Sequence, residues 1–213
     1  MQPQDQNSNK NHTAKIAAAL KLLIASYDDA GSLLVCGNGG SAADCEHIVG
    51  ELMKGFCLPR SLSAHDRDRL TAICGDDAAR LCEKLQYGLP ALSLVSHSSL
   101  ITAIANDLDG DLIFAQQIWA MGKANDVLLA ISTSGNSENI LLAAKTARAK
   151  NMAVGRFRII GGGFGGLLRI AGLAIWMRGC LVTSILIHAF ITSLALICCL
   201  MSSRQKTFFL LRK

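Results

Sequence analysis

Short apolar runs, each too brief to be a helix, alternate along this chain with stretches of helical period. This alternation constrains the fold more than any other feature. Ser32 to Cys36, Ala91 to Val95 and Asp126 to Ile131 read as strands, and Met152 to Val154 begins another. Helical patterns cover Thr13 to Ser26, Ser41 to Lys54, Ser98 to Ala105, Ile113 to Met121 and Ser137 to Lys150. Pro59 marks a turn, 65–88 reads as one or two helices broken near Gly75, and Asn106 to Asp111 reads as a loop. Strands that alternate with helices pair in parallel through crossovers, so a layered α/β domain is expected. In such sheets a ligand sits beyond the carboxyl ends of the strands.

Charge and cysteine usage narrow the function classes. The chain of 213 residues carries a formal net charge of +5, yet the charge is divided unevenly. Residues 1–154 hold 13 basic against all 16 acidic residues, a net −3, and 155–213 hold 8 basic residues and no acid. The basic balance therefore belongs to the tail, and the main domain has no electrostatic footprint for nucleic acid. The eight cysteines include no CxxC pair and no accompanying His cluster, which argues against a thiolate zinc site. Residues 1–13 are polar and lack the apolar segment of a secretory signal, so reduced thiols in a cytoplasmic protein are expected.

Two loops fall where a ligand is expected. Ser132-Thr133-Ser134-Gly135-Asn136-Ser137 sets four hydroxyls in six residues just before a helix, beside unpaired N–H groups and the positive end of the helix dipole. That is a seat for an anion such as phosphate. It contains no Lys and no GxxxxGK[ST], which runs against a nucleotide P-loop. The plainer alternative is an N-cap made by Ser134 or Ser137. Gly37-Asn38-Gly39-Gly40-Ser41 occupies the matching position after the first strand. Its glycines allow close backbone approach to a ligand and Asn38 can bond hydroxyls, although a tight strand-to-helix turn needs no more than this. Asn106-Asp107 is a third polar position, with a surface loop as its default reading.

His47 and Glu51 stand at i and i+4 on the helix that the first loop opens, and so share a face. An imidazole and a carboxylate suit a zinc-type ion or an oriented base, and they equally suit an ordinary surface pair.

Together these pieces resemble the sugar isomerase (SIS) family and, within it, the phosphoheptose isomerases. The resemblance is carried by LLVCGNGGSAADCEHIVGEL at 33–52, LITAIANDLDGDLIFAQQIWAMGKANDVLLAISTSGNSENI at 100–140, and AAKTARAKNMAV at 143–154. It implies a flavodoxin-like three-layer α/β/α sandwich, assembled as a homotetramer with active sites between subunits. The implied reaction interconverts sedoheptulose 7-phosphate and glycero-manno-heptose 7-phosphate through an enediol. Carried over by position, Asn38, Gly39, Gly40 and Ser41 contact the sugar, Asn106 and Asp107 lie near its chain, and Ser132, Thr133, Ser134 and Ser137 hold the phosphate. His47 and Glu51 match the family's zinc ligands, and Glu51 doubles as the catalytic base that also meets the substrate. A non-catalytic SIS module, binding a phosphosugar or a protein partner, is the alternative; retention of both His47 and Glu51 favours the enzyme.

The resemblance stops after Val154. The family continues with a strand, a GLTG-like loop and a last helix carrying a Gln and a His, whereas residues 155–213 carry none of these. Three readings of this apolar, basic tail stand: a membrane span over the 21 uncharged residues Leu181 to Met201, a divergent core helix, or out-of-frame translation of the same domain's remainder. The abrupt loss of acids together with the motif fits the third best, and a membrane span suits a sugar isomerase poorly. His188 has no surrounding motif and receives no role.

Overall fold

The computed structural model describes residues 18–55 and 59–155, together with the strand segments 156–158, 166–170 and 173–177. Helix α1 covers 18–28 of the helix expected from Thr13, whose first residues lie outside those described. There follow β1 (Leu33–Gly37), α2 (Gly40–Met53), α3 (Ala64–Cys74), α4 (Ala78–Lys84), β2 (Ala91–Ser93), α5 (Ser98–Asp107), α6 (Ala115–Met121), β3 (Val127–Ser132), α7 (Glu138–Ala149) and β4 (Ala153–Arg158). The break expected near Gly75 is real. Gly75 adopts a φ of 52° at the end of α3, and a 3-10 turn over Gly75–Asp77 leads into α4.

Strands β1 to β4 form one parallel sheet in the order β2-β1-β3-β4. Every residue of β1 and β3 is buried, as the continuous apolar runs required: a parallel strand covered on both faces has no polar side. Alternate residues feed two cores. Leu33, Val35, Val127, Leu129 and Ile131 pack with Leu20 and Leu23 of α1 and Cys45, Ile48 and Leu52 of α2. Leu34, Cys36, Leu128 and Ala130 pack on the other face with Ile118 of α6 and Ile140, Ala143 and Ala147 of α7. This is the expected three-layer α/β/α arrangement. Full burial of a leucine or isoleucine contributes about 1.5–3 kcal/mol, so these two faces dominate stability.

Element ends differ from expectation in three places. Helix α5 runs on through Asn106 and Asp107, because Leu108 N–H still donates to the Ile104 carbonyl at 3.0 Å. Residues 113 and 114 form a turn before α6, and β4 extends beyond Val154 to Arg158, paired with Ser132 of β3. In the tail, β5 (Gly166–Ile170) and β6 (Leu173–Met177) pair antiparallel. The segment 181–201 and His188 lie outside the described residues. Among those described, no helix is long and apolar enough to cross a membrane.

Candidate active site

The strand order places a switch point between β1 and β3: the chain leaves β1 toward β2 on one side, and β3 lies on the other. Open α/β sheets bind ligands in the crevice at such a point. Register makes the two conspicuous loops neighbours there, because Gly37 pairs with Ile131 at the ends of β1 and β3. Asn38 and Ser132 therefore emerge side by side at the carboxyl edge.

The first loop is shaped by glycine. A Cβ on Gly37 would stand 2.7 Å from the backbone oxygen of Ser41, so strand and helix approach closer there than any side chain permits. Gly39 sits at φ 53° as the N-cap residue of α2, in a conformation costly for other residues. No side chain caps α2; the N–H groups of Ser41 and Ala42 donate instead to the carbonyls of Asn38 and Gly39, each at 3.0 Å. Ser41, in that first turn, is buried, and its carbonyl accepts from the Cys45 thiol at 3.0 Å.

The second loop is shaped by hydroxyls. Ser132 Oγ accepts from Gly135 N–H at 3.0 Å and lies 3.3 Å from Ser137 Oγ. Ser134 Oγ accepts from Asn136 N–H at 3.1 Å. Ser137 is the N-cap residue of α7 by position, yet its side chain makes no capping bond. The simple N-cap alternative thus fails for Ser137: its hydroxyl lies toward Ser132 instead. Thr133 and Ser134 are exposed at the tip. Glu138, the acid of the first turn, lies 4.0 Å from Lys145, both of them exposed.

One residue that sequence reasoning missed joins the loops. Asn139, second in α7, exchanges two hydrogen bonds with Asn38, each 2.9 Å between amide nitrogen and amide oxygen. A partner 101 positions away leaves no local signal.

A second missed cluster stands after β2. Gln117 is buried, and its Nε2 donates to the carbonyls of Leu94 (2.9 Å) and Ile113 (2.8 Å). Its Oε1 is left to face His97 Nδ1 at 3.1 Å, so that nitrogen must carry the proton. Nearby, Ser93 and Ser96 hydroxyls both donate to Glu46 Oε1 of α2.

The remaining expected residues are not gathered into this crevice within one chain. His47 and Glu51 lie seven and eleven residues beyond Gly40, about 10 and 16 Å along α2 at 1.5 Å per residue. Helix α2 descends toward the opposite sheet edge, where the carbonyl of Leu52 accepts from Leu89 N–H, just before β2. Asn106 Nδ2 donates to Asp107 Oδ1 at 2.7 Å in the last turn of α5, about 14 Å from that helix's start.

His47 Nε2 lies 3.9 Å from Glu51 Oε1, wider than the roughly 3.3 Å between two ligands of one tetrahedral ion at about 2 Å each, so one side chain must turn slightly before both could hold such an ion. The other Glu51 oxygen accepts from Lys54 Nζ at 3.1 Å. The Glu51 side chain is 15% exposed, so it is shielded but reachable. Among the described residues, no group of three or more His, Cys, Asp or Glu side chains could hold a metal. By donor type, the pair supplies half of a zinc set. Burial raises the carboxyl pKa of Asp44, one turn before His47, and the His47 charge partly offsets that.

Comparison with known proteins agrees with this architecture. The family model described as SIS domain matches residues 5–65 and 77–155. A phosphoheptose isomerase of Thiobacillus denitrificans is 39% identical over 140 residues, 66% of this chain and 58% of that protein. One from Helicobacter pylori is 36% identical over 157 residues, 74% of this chain and 67% of that protein. The chain thus spans about 58% of the length of the first of these relatives. Among solved structures, a phosphoheptose isomerase from Neisseria gonorrhoeae superposes with a TM-score of 0.55 at 31% identity, covering 75% of this chain and 69% of that one. A Francisella tularensis phosphoheptose isomerase shares the fold, with a TM-score of 0.60 at 24% identity over 92% and 97% of the two chains. Family model, relatives and sheet order agree: the chain belongs to the SIS-domain family.

Proposed function

We propose that this chain is a phosphosugar isomerase that interconverts sedoheptulose 7-phosphate and D-glycero-D-manno-heptose 7-phosphate. One observation supports it most: two helices begin without a side-chain cap, from adjacent strands, at the switch point of a parallel sheet. The one that starts α7 is ringed by hydroxyls. Ser132, Thr133, Ser134 and Ser137, with the first N–H groups of α7, hold the phosphate. Asn38, Gly39, Gly40 and Ser41 hold the sugar through backbone and amide. Binding the remote phosphate fixes the reacting carbons in place.

Glu51 is the base. Its carboxylate removes a proton from C1 of the ketose, the C1–C2 enediol forms, and the same carboxylate returns the proton to C2 while a hydroxyl proton passes from O1 to O2. His47 and Glu51 would hold a zinc-type ion, which supplies polarisation of the sugar oxygens when bound. Because Glu51 lies about 16 Å down α2 from the first loop, the loops of one copy and the carboxylate of another complete the site. That favours a homotetramer with sites between subunits, with Asn106 and Asp107 at the sugar chain from a neighbouring copy. The exposed Leu100 and Leu108 at either end of α5 suit contact with another copy. Buried, free Cys36 and Cys45 suit a cytoplasmic protein.

The test is isomerase activity on sedoheptulose 7-phosphate with and without a chelator. Turnover that a chelator reduces and zinc restores supports the assignment. Phosphosugar binding with no turnover under any metal condition would make the chain a binding module.

A further inference from the structure

We infer that Asn139 is a positioning residue that presets Asn38 for a sugar hydroxyl; this deepens the phosphosugar reading and rests on it. The two amides face each other in a closed ring, with 2.9 Å in both directions. Each carboxamide has two N–H donors and two acceptor sites, and the ring uses one of each. Asn38 therefore keeps one donor and one acceptor, held at a fixed angle beside the crevice.

The surroundings explain why such a tether matters. Asn38 is exposed, and its neighbours Gly39 and Gly40 have no atom within 4 Å of where a Cβ would stand. Side packing thus does little to hold the tip of the first loop. Asn139 is different. It is half-buried in the first turn of a 12-residue helix, and the next residue, Ile140, is a core residue at 3% exposure. The amide ring transfers the rigidity of α7 to the glycine loop and fixes the spacing of the two loops across the switch point. A ligand then meets an Asn38 side chain already ordered, without the entropy cost of fixing it on binding.

The experiment is a double-mutant cycle on the full chain, with Asn38→Ala, Asn139→Ala and the double variant. Calorimetry measures the affinity for sedoheptulose 7-phosphate and, separately, for inorganic phosphate. Asn139→Ala should weaken the sugar phosphate roughly three- to tenfold, the usual range for losing one preordered side chain. It should leave inorganic phosphate unchanged. The double variant should be no weaker than Asn38→Ala, because Asn139 acts only through Asn38. Thermal unfolding of each variant reports any general loss of structure. Asn139→Asp, which keeps an acceptor for Asn38 but loses the donor, repeats the cycle if the alanine variant misfolds. Losses that multiply in the double variant overturn the inference, as does an Asn139→Ala protein of undiminished affinity. Failure of the parent chain to bind the sugar phosphate at all sinks the functional reading and this inference with it.

Discussion

Two strand–loop–helix units, β1–α2 and β3–α7, stand side by side and solve one problem by different means. Each leaves a central strand, turns at the carboxyl edge and opens a helix without a side-chain cap, one on each face of the sheet. The β1–α2 turn is made by the absence of side chains, and its helix carries His47 and Glu51 far from the turn. The β3–α7 turn is made by hydroxyls bonded to its own backbone, and these hydroxyls stand at the turn itself. A glycine turn is set by steric room. A hydroxyl turn is set by hydrogen bonds, so substitutions should fail differently in the two.

The largest effect should come from the far end of α2. Glu51→Gln should lower turnover by about a thousandfold, within the range for losing a general base, and leave phosphosugar affinity largely intact. Ser134→Ala should instead raise the sugar phosphate's Kd. On the proposed arrangement, in which the two units complete the site from different copies, mixing and reassembling these variants should give more activity at low substrate than either has alone. Mixtures that gain none would place both residues in one chain's own site.

Next comes Gly37→Ala, expected to destabilise by about 2–3 kcal/mol, since its Cβ meets backbone that cannot yield. Denaturant unfolding measures this. Ser132→Ala should cost about 1–2 kcal/mol by removing the acceptor of the buried Gly135 N–H. Gly39→Ala should cost about 1 kcal/mol, from φ alone, as space around it is open. A Gly39 cost above that of Gly37 would reverse the steric reading of the first turn.

The smallest effect concerns Asp44. Its folded pKa is raised by burial, so the folded state binds more protons than the unfolded one between the unfolded and folded values. Stability attributable to this group should fall as pH rises through that window. Asp44→Asn should therefore slightly stabilise the chain at neutral pH, and the gain should vanish in acid. Thiol labelling offers a parallel check on the core. Burial pushes the Cys36 thiol up to about 12 and raises Cys45 as well, so both should label far more slowly than half-buried Cys74 and Cys82.

How much was legible follows from the range of each interaction. The strands β1 and β3 and the helices α2 and α7 could be read because burial on both faces demands continuous apolar runs, and covering helices show their own period. The position of the two loops at the strand ends could be read because glycine and hydroxyl clusters are local. The last turn of α5 was misread as a loop, since Asn106 and Asp107 look like turn residues and the bond from Leu108 back to Ile104 is invisible in composition. Asn139 and the Gln117–His97 pair escaped because their partners lie 101 and 20 positions away. Separation along α2 between Gly40 and Glu51 was readable as a number of turns, but its meaning needed the direction of the helix across the sheet.

The most direct test of the account is isomerisation of sedoheptulose 7-phosphate in deuterium oxide, followed by NMR at C1 and C2. Proton transfer through a carboxylate open to solvent exchange should place deuterium on the carbon that receives the proton, in the parent chain and not in Glu51→Gln. Conversion without any solvent label that survives Glu51→Gln, or no conversion by a metal-loaded, fully assembled chain, would contradict it.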